Sequence, residues 1–374
     1  MKKKILLSAV IYGIFLSTSF VCSQNFNQFE NSESWENANS CVKNMKLGWN
    51  IGNSLDCTGS WIDKSNMKNF ETAWGNPIIT KKLIKSVKEN GFNAIRIPVT
   101  YLEKMDSDGN VDKKWFFRVK EVVDYVIEEN MYCIINVHHD CGGGEETWLR
   151  ADKEMYSNGM SEKYEHLWKQ IAEYFKDYDE KLLFESFNEI LDKNLNWGGS
   201  NQESYEIVNK LNQLFVDTVR NSGGNNYFRN LIVLPYSADA QVSGFRIPTD
   251  KVKNHLIAEV HIYDPSDFCN GIDKTWDLSD KNEIETIFAR INEKVIIEQN
   301  VPMIIGEFGS QVKFNTKKSN EERVKYAFDF VSTAKKYGIT CFWWDNGSSM
   351  KIFNRSLAKP SCKPVIDAMI LALE

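Results

Sequence analysis

Eight short, continuously apolar runs recur along the chain, and helix-like stretches fill the gaps between them. The runs are Met45–Asn50, Ala94–Val99, Tyr132–Val137, Leu182–Phe187, Leu231–Pro235, Leu256–Ile262, Met303–Gly306 and Ile339–Trp344. Unbroken apolarity over so few residues is the mark of strands buried on both faces, as in a parallel sheet covered by helices. The intervening helical patterns are Ile79–Asn90, stopping at Gly91; Lys113–Asn130, with Phe117, Val119, Val122, Val123 and Val126 as its apolar positions; and Ser161–Asp177, with Ser161 in the N-cap position. Gln202–Asn221, Glu283–Gln299, Asn320–Tyr337 and a last amphipathic helix from Lys363 to Glu374 follow. Strand and helix alternating eight times over roughly 330 residues predict an α/β chain folded as one (β/α)8 TIM barrel, a single domain. The runner-up, an open doubly wound sheet, would carry a Gly-x-Gly-x-x-Gly turn, and the chain has none.

A barrel of this kind gathers its chemistry just after the strands. Gly52-Asn53-Ser54-Leu55-Asp56 follows the first run, and Arg96 lies near the end of the second. His138-His139-Asp140 follows the third, Asn188-Glu189 the fourth, and His261-Ile262-Tyr263 closes the sixth. Glu307 closes the seventh, and Trp343-Trp344-Asp345-Asn346-Gly347 the eighth. Three of the five histidines fall in this set. Each such residue alone is more often a satisfied structural polar group; their convergence at one face is what marks a site.

Glu189 and Glu307 stand out, because a carboxylate at the end of an apolar strand is costly unless it is used. Two of them brought together form the pair that glycoside hydrolysis needs. Retention of configuration calls for carboxyls ~5–5.5 Å apart, and a gap above ~6.5 Å would mean inversion. A metal site is the competing use of His138, His139, Asp140 and His261. Consecutive residues on a strand point to opposite faces, which would part His138 from His139, and the chain has no His-x-x-x-His helix pair and no Cys-x-x-Cys. A serine hydrolase would show a Gly-x-Ser-x-Gly elbow, which is also absent. The expectation is therefore no metal and no cofactor.

Taken in order, Gly48-Trp49-Asn50-Ile51-Gly52-Asn53, Thr72-Ala73-Trp74-Gly75-Asn76-Pro77, Gly91-Phe92-Asn93-Ala94-Ile95-Arg96-Ile97-Pro98-Val99, Asn136-Val137-His138-His139-Asp140, Asn188-Glu189, His261-Ile262-Tyr263, Ile305-Gly306-Glu307-Phe308-Gly309 and Trp344-Asp345-Asn346-Gly347 resemble glycoside hydrolase family five, most of all its endoglucanase branch from anaerobic cellulose degraders. The resemblance covers nearly everything from residue 42 onward. It implies a retaining endo-β-1,4-glucanase, with Glu189 as acid/base and Glu307 as nucleophile. It further implies that Arg96 and Tyr263 hydrogen-bond the nucleophile and keep it ionised, while burial and the charge of Glu307 keep Glu189 protonated. Asn188 would hold the sugar 2-hydroxyl. His138 and His261 would line the −1 subsite, with His261 also serving the acid/base, and Trp344 would be its floor. His139 and Asn53 count among the sugar-binding residues. Trp74 and Trp148 are the expected outer platforms, chosen from Trp61, Trp74, Trp148, Trp197 and Trp276, since flat rings suit the apolar face of a sugar. One departure is Ile190, where the family often has proline after Asn-Glu. A xyloglucanase, lichenase, mannanase or xylanase on the same scaffold, and a non-catalytic carbohydrate-binding protein, are the rival readings.

At the N-terminus Lys2-Lys3-Lys4, an apolar stretch to Phe20 and Val21-Cys22-Ser23 predict a secretory signal over residues 1–23, and hence an extracellular protein. An uncleaved anchor and a lipid attachment at Cys22 are the alternatives weighed. A polar arm is expected over 24–40 and the catalytic domain over 41–374. Removing the signal takes the net charge from −6 to −9. That argues against nucleic acid or an anionic membrane as partner and suits a neutral β-glucan polysaccharide bound by a monomer. Seven cysteines would remain, an odd number that leaves at least one free. Cys133 and Cys341 are expected buried, and a pair among Cys57, Cys141 and Cys269 stays open.

Overall fold

The eight apolar runs form eight parallel strands: β1 Gly48–Ile51, β2 Ala94–Ile97, β3 Tyr132–Asn136, β4 Leu182–Glu185, β5 Leu231–Val233, β6 Leu256–Ile262, β7 Met303–Phe308 and β8 Thr340–Asp345. They close in sequence order, β8 pairing back onto β1 through Gly48–Phe342 to Ile51–Asp345. The computed structural model describes residues 35–144, 146–271, 275–312 and 317–374, without the side chains of 317–319. Asn37–Glu374 forms one compact unit. The expected signal over 1–23 and most of the arm over 24–40 lie outside the described residues. Residues 38–40 depart from that expectation: they begin a helix, Ala38–Asn44, capped by the Asn37 side chain on Ser40 N–H. Thr340 at the start of β8 donates to the Val42 carbonyl, so this helix lies against the strand N-termini.

Nearly every strand residue is buried, because the inner faces fill the barrel and the outer faces meet the helices. Helix Lys113–Glu128 shows how the outer layer is made. Trp115, Phe116, Val119, Val122, Val123 and Val126 recur at helical spacing and are buried. Phe117, expected among them, points to solvent. Helix Ser161–Tyr174 is not capped by Ser161: Met160 precedes it in helical conformation, and Tyr156–Met160 is a π turn that continues the chain from Lys153–Met155. The helix expected from Glu283 starts earlier, at Leu278. There Asp277 and Asp280 form a reciprocal capping box. After β8 the chain adds a small hairpin, β9 Phe353–Asn354 and β10 Lys359–Pro360, which the sequence pattern did not reveal.

Of the seven described cysteines six are buried and Cys362 is half-buried. Cys57, Cys141 and Cys269 form no disulfide with one another. Among the described residues no helix is long and apolar enough to cross a membrane.

Candidate active site

Arg96 is the centre of the site, fully buried inside the barrel. Its Nε and Nη2 form a two-point bridge to Glu185 at 2.6 and 2.7 Å. Nη1 donates to Glu307 at 2.7 Å and to Asn50 at 3.0 Å, and Nη2 also donates to Asn188 at 2.9 Å. Burial opposes the guanidinium charge, but the carboxylates of Glu185, Glu259 and Glu307 outweigh it and hold the group protonated. The planar fork is what allows one cation to address several acceptors at once.

Glu307 sits where β7 is irregular. The register with β6 shifts between Val260 and His261, placing His261 beside Glu307, and the pairing with β8 shifts between Ile305 and Phe308. Such bulges re-aim side chains next to active sites. Besides Arg96, Glu307 accepts from the Tyr263 hydroxyl at 2.8 Å. Burial first, then Glu307 and Glu189, raise the Tyr263 phenol well above its usual range, which keeps it a donor.

Glu189 has a different environment. His261 Nδ1 lies 2.7 Å from its Oε1, and the same nitrogen is 3.7 Å from Glu307. One atom each of Glu189, His261 and Glu307 all fall within 4.8 Å of one another. One carboxyl oxygen of Glu189 and one of Glu307 thus face the same small gap beside His261. Ile190, in place of the family's usual proline, is buried and its carbonyl accepts from Ser237 N–H, so the strand 4 loop is tied to the strand 5 loop.

His138 is buried and neutral: burial lowers its pKa well below the usual value, with His139, Arg96 and His261 adding to the effect. Val99 N–H donates to Asn136 Oδ1, which fixes the amide so that Nδ2 reaches His138 Nδ1 at 3.1 Å and Glu185 at 2.8 Å. His138 then accepts at Nδ1 and carries its proton on Nε2. The strand-alternation argument that parted His138 from His139 fails. β3 ends at Asn136, both histidines lie in the loop beyond, and their rings are 4.4 Å apart. With Asp56 they form a second cluster within 4.8 Å, in which Asp56 already accepts the amides of Asn53 and Ser54.

Trp344 stacks on His138 with planes 8° apart, and Trp74 lies against His139 at 5.4 Å, so Trp74, His139, His138 and Trp344 form one aromatic row. Gly52 makes room for it, since a Cβ there would meet the Trp344 ring at 2.6 Å. Asn53, with φ 55°, sits beside the row, its carbonyl held by Asn76 Nδ2. Trp148 stands apart. Its indole N–H donates to Asp140, Lys163 lies 4.3 Å over its ring, and it faces a surface depression with Met155 and Met160. Trp61 and Trp197 are exposed, whereas Trp276 is buried against Phe268 and Tyr326 and cannot serve as a platform.

Sequence reasoning passed over Glu185 and Glu259, two fully buried carboxyls inside the barrel. Both lie within apolar runs, where a lone acid is easily overlooked. The missed signal is the strand period: Glu259 and His261 are two apart on β6 and therefore share a side. Their contact is His261 Nε2 to Glu259 Oε1, 3.2 Å.

The family described as Cellulase (glycosyl hydrolase family 5) matches residues 55–350. Endoglucanase A of Clostridium longisporum is 36% identical over 357 residues, covering 90% of this chain and 66% of that one. Endoglucanase A of Ruminococcus albus is 36% identical over 348 residues, 88% of this chain and 91% of that one. Among solved structures, a family 5 enzyme from Prevotella bryantii in complex with a xyloglucan tetradecasaccharide superimposes with a TM-score of 0.85 at 39% identity, covering 91% of this chain and 99% of that one. Matching over this length, together with a closed barrel carrying its paired carboxyls at the strand ends, shows that the chain belongs to glycosyl hydrolase family 5 as an endoglucanase-like glycoside hydrolase.

Proposed function

We propose that the protein hydrolyses internal β-1,4-glucosidic bonds of cellulose and related β-glucans with retention, Glu307 acting as nucleophile and Glu189 as acid/base. The observation that carries this is the unequal support of two carboxyls that bring one oxygen each within 4.8 Å of one another. Glu307 is held by a guanidinium and a phenol, which suit an anion. Glu189 has His261 as its polar partner.

Glu307 attacks the anomeric carbon while Glu189 gives its proton to the departing glycosidic oxygen. The C–O bond to the leaving chain breaks and a glycosyl ester on Glu307 forms. The Glu189 carboxylate then takes a proton from water, the water oxygen bonds the anomeric carbon, and Glu307 leaves as carboxylate. Asn188, oriented through its oxygen by Arg96, offers its amide hydrogens to the 2-hydroxyl. His138 offers Nε2–H, and Trp344 supplies the flat floor of the −1 subsite. Trp74 and His139 extend that floor outward, with Asn53 as a polar neighbour. Export of the chain, expected from residues 1–23, belongs to the same reading and predicts a mature N-terminus at Gln24.

Reducing-sugar release from cellulose, xyloglucan, mixed-linkage glucan, mannan and xylan tests the substrate, and the anomer first formed, followed by NMR, tests retention. Glu189→Gln and Glu307→Gln are each expected to lose at least ~1000-fold in turnover on glucan. If both keep wild-type turnover, the roles assigned here are wrong.

A further inference from the structure

Glu259 is built into the barrel at some cost. It is fully buried, and its Oε2 has no hydrogen-bond partner. Arg96 Nε, 3.4 Å from Oε1, already donates to Glu185. The carboxyl occupies the space that a side chain on Gly306 would need, for a Cβ there would lie 1.6 Å from Glu259 Oε1. Its hydrogen-bond contact is His261 Nε2, and the other nitrogen of that ring bonds Glu189. A carboxylate whose guanidinium neighbour is already engaged by Glu185, and whose second oxygen is orphaned, is only partly compensated; a carboxyl that can hold a proton costs less to bury.

We propose that Glu259 is a positioning residue for Glu189, sharing one proton with His261 whose place in the Glu259–His261 hydrogen bond follows the charge of Glu189. The proposal rests on the assignment of Glu189 as acid/base. While Glu189 is protonated, the shared proton sits on Glu259 and the neutral imidazole keeps its Nδ1–H toward Glu189. When Glu189 has given its proton to the leaving group, the shared proton crosses to Nε2, and the resulting imidazolium stabilises the new carboxylate. It returns as Glu189 takes a proton from water, so the pair neither gains nor loses a proton over the cycle. The charged and titratable groups around the pair are Arg96 on β2, Glu185 on β4, Glu307 on β7, Tyr263 after β6, His138 after β3, and Glu189 itself. With Glu307 and Glu189 as anions their balance places the shared proton on His261, the second of these two states. Burial and Glu185 outweigh Arg96 and His261 and push Glu259 up to about 7. His261, opposed by burial, is pushed up to about 10 by Glu307, Glu189 and Glu259.

Glu259→Gln keeps the shape and removes the exchangeable proton. Its kcat/KM against pH is compared with wild type on a cello-oligosaccharide, whose leaving group needs acid help, and on 2,4-dinitrophenyl β-cellobioside, whose leaving group does not. The expected result is a loss of about tenfold or more on the oligosaccharide, with its alkaline limb moved upward by about half a unit, and a change within about twofold on the aryl glycoside. Equal losses on the two substrates, or superimposable profiles, would overturn the proposal. Nitrogen-15 NMR of histidine-labelled protein gives a readout without substrate. The titration of His261 is expected to move down by about one unit in Glu259→Gln, and an unchanged titration would overturn the sharing. Wild-type inactivity on every β-glucan would instead overturn the glucanase reading, leaving the NMR result to decide the pair.

Discussion

At Arg96 one guanidinium serves four side chains: Glu185, Glu307, Asn50 and Asn188. Lysine carries the same charge as a single point and cannot span them. Arg96→Lys should leave buried carboxylates short of partners, costing about 3–5 kcal/mol of stability and on the order of 100-fold or more in kcat; thermal melting and steady-state kinetics check both. Tyr263→Phe removes one hydrogen bond to a charged group, about 1.5–3 kcal/mol. It should lower kcat/KM roughly 10- to 100-fold while the melting temperature stays close to wild type. Loss of fold would show the phenol to be structural. These residues were legible because they stand at strand ends, where an acid, an arginine or a tyrosine breaks an apolar run. Glu185 and Glu259 were not, because each is a single charge within such a run: Glu185 is compensated by Arg96 on β2, and the hydrogen-bond contact of Glu259 is His261 on its own strand. Trp276, one of the five loop tryptophans but not among the two chosen as platforms, shows the opposite difficulty. A loop position says nothing about burial, and its indole N–H is satisfied inward by Asp329.

The strands were readable as elements because burial on both faces leaves no polar residue to blur them. What periodicity could not show is anything shorter than a period. β9 and β10 are two residues each, and they exist because Asp345 and Arg355 organise the loop after β8. Asp345 accepts the amides of Gly347, Ile352 and Phe353. Arg355 donates to the Gly52 carbonyl, Ser54 and Asp345, tying this loop to the end of β1. Trp344 lies between these anchors. Arg355→Met should leave buried acceptors unsatisfied and lower stability by about 2–4 kcal/mol. Because it unseats the aromatic floor, KM for glucan should rise severalfold more than kcat falls. A stability loss with unchanged KM would show that Trp344 is placed without the hairpin. The π turn before Ser161 was equally hidden: Gly159, with φ 102°, allows a kink there, and the helix on either side needs no separate cap.

In the whole molecule the two ends of the barrel carry different burdens. The C-terminal ends of the strands hold the crowded charges of Arg96, Glu185, Glu259, Glu307, Glu189 and His261, and the N-terminal ends are free to serve stability. His255 immediately precedes β6 at that other end, beside Phe228 and near Arg220 and Asp250. Burial first, then Arg220, push it down to about 4, against Asp250. An unfolded histidine titrates near ~6.5, so the unfolded chain takes up this proton more readily than the folded one. The associated stability is fully present above ~pH 6.5 and is lost as pH falls toward about 4. His255→Gln cannot take up that proton, and its melting temperature should fall less than that of wild type between pH 7 and 4.5. Sites this far apart act independently, so its kcat on glucan at pH 6 should stay within about twofold of wild type. Glu185→Gln, by contrast, weakens the two-point bridge to Arg96 and should lower both stability and turnover. Melting curves across that pH range with kinetics at pH 6 test the division. An equal acid-induced drop in His255→Gln would remove His255 as a source of acid sensitivity, and a large fall in its kcat would show that the two ends are coupled.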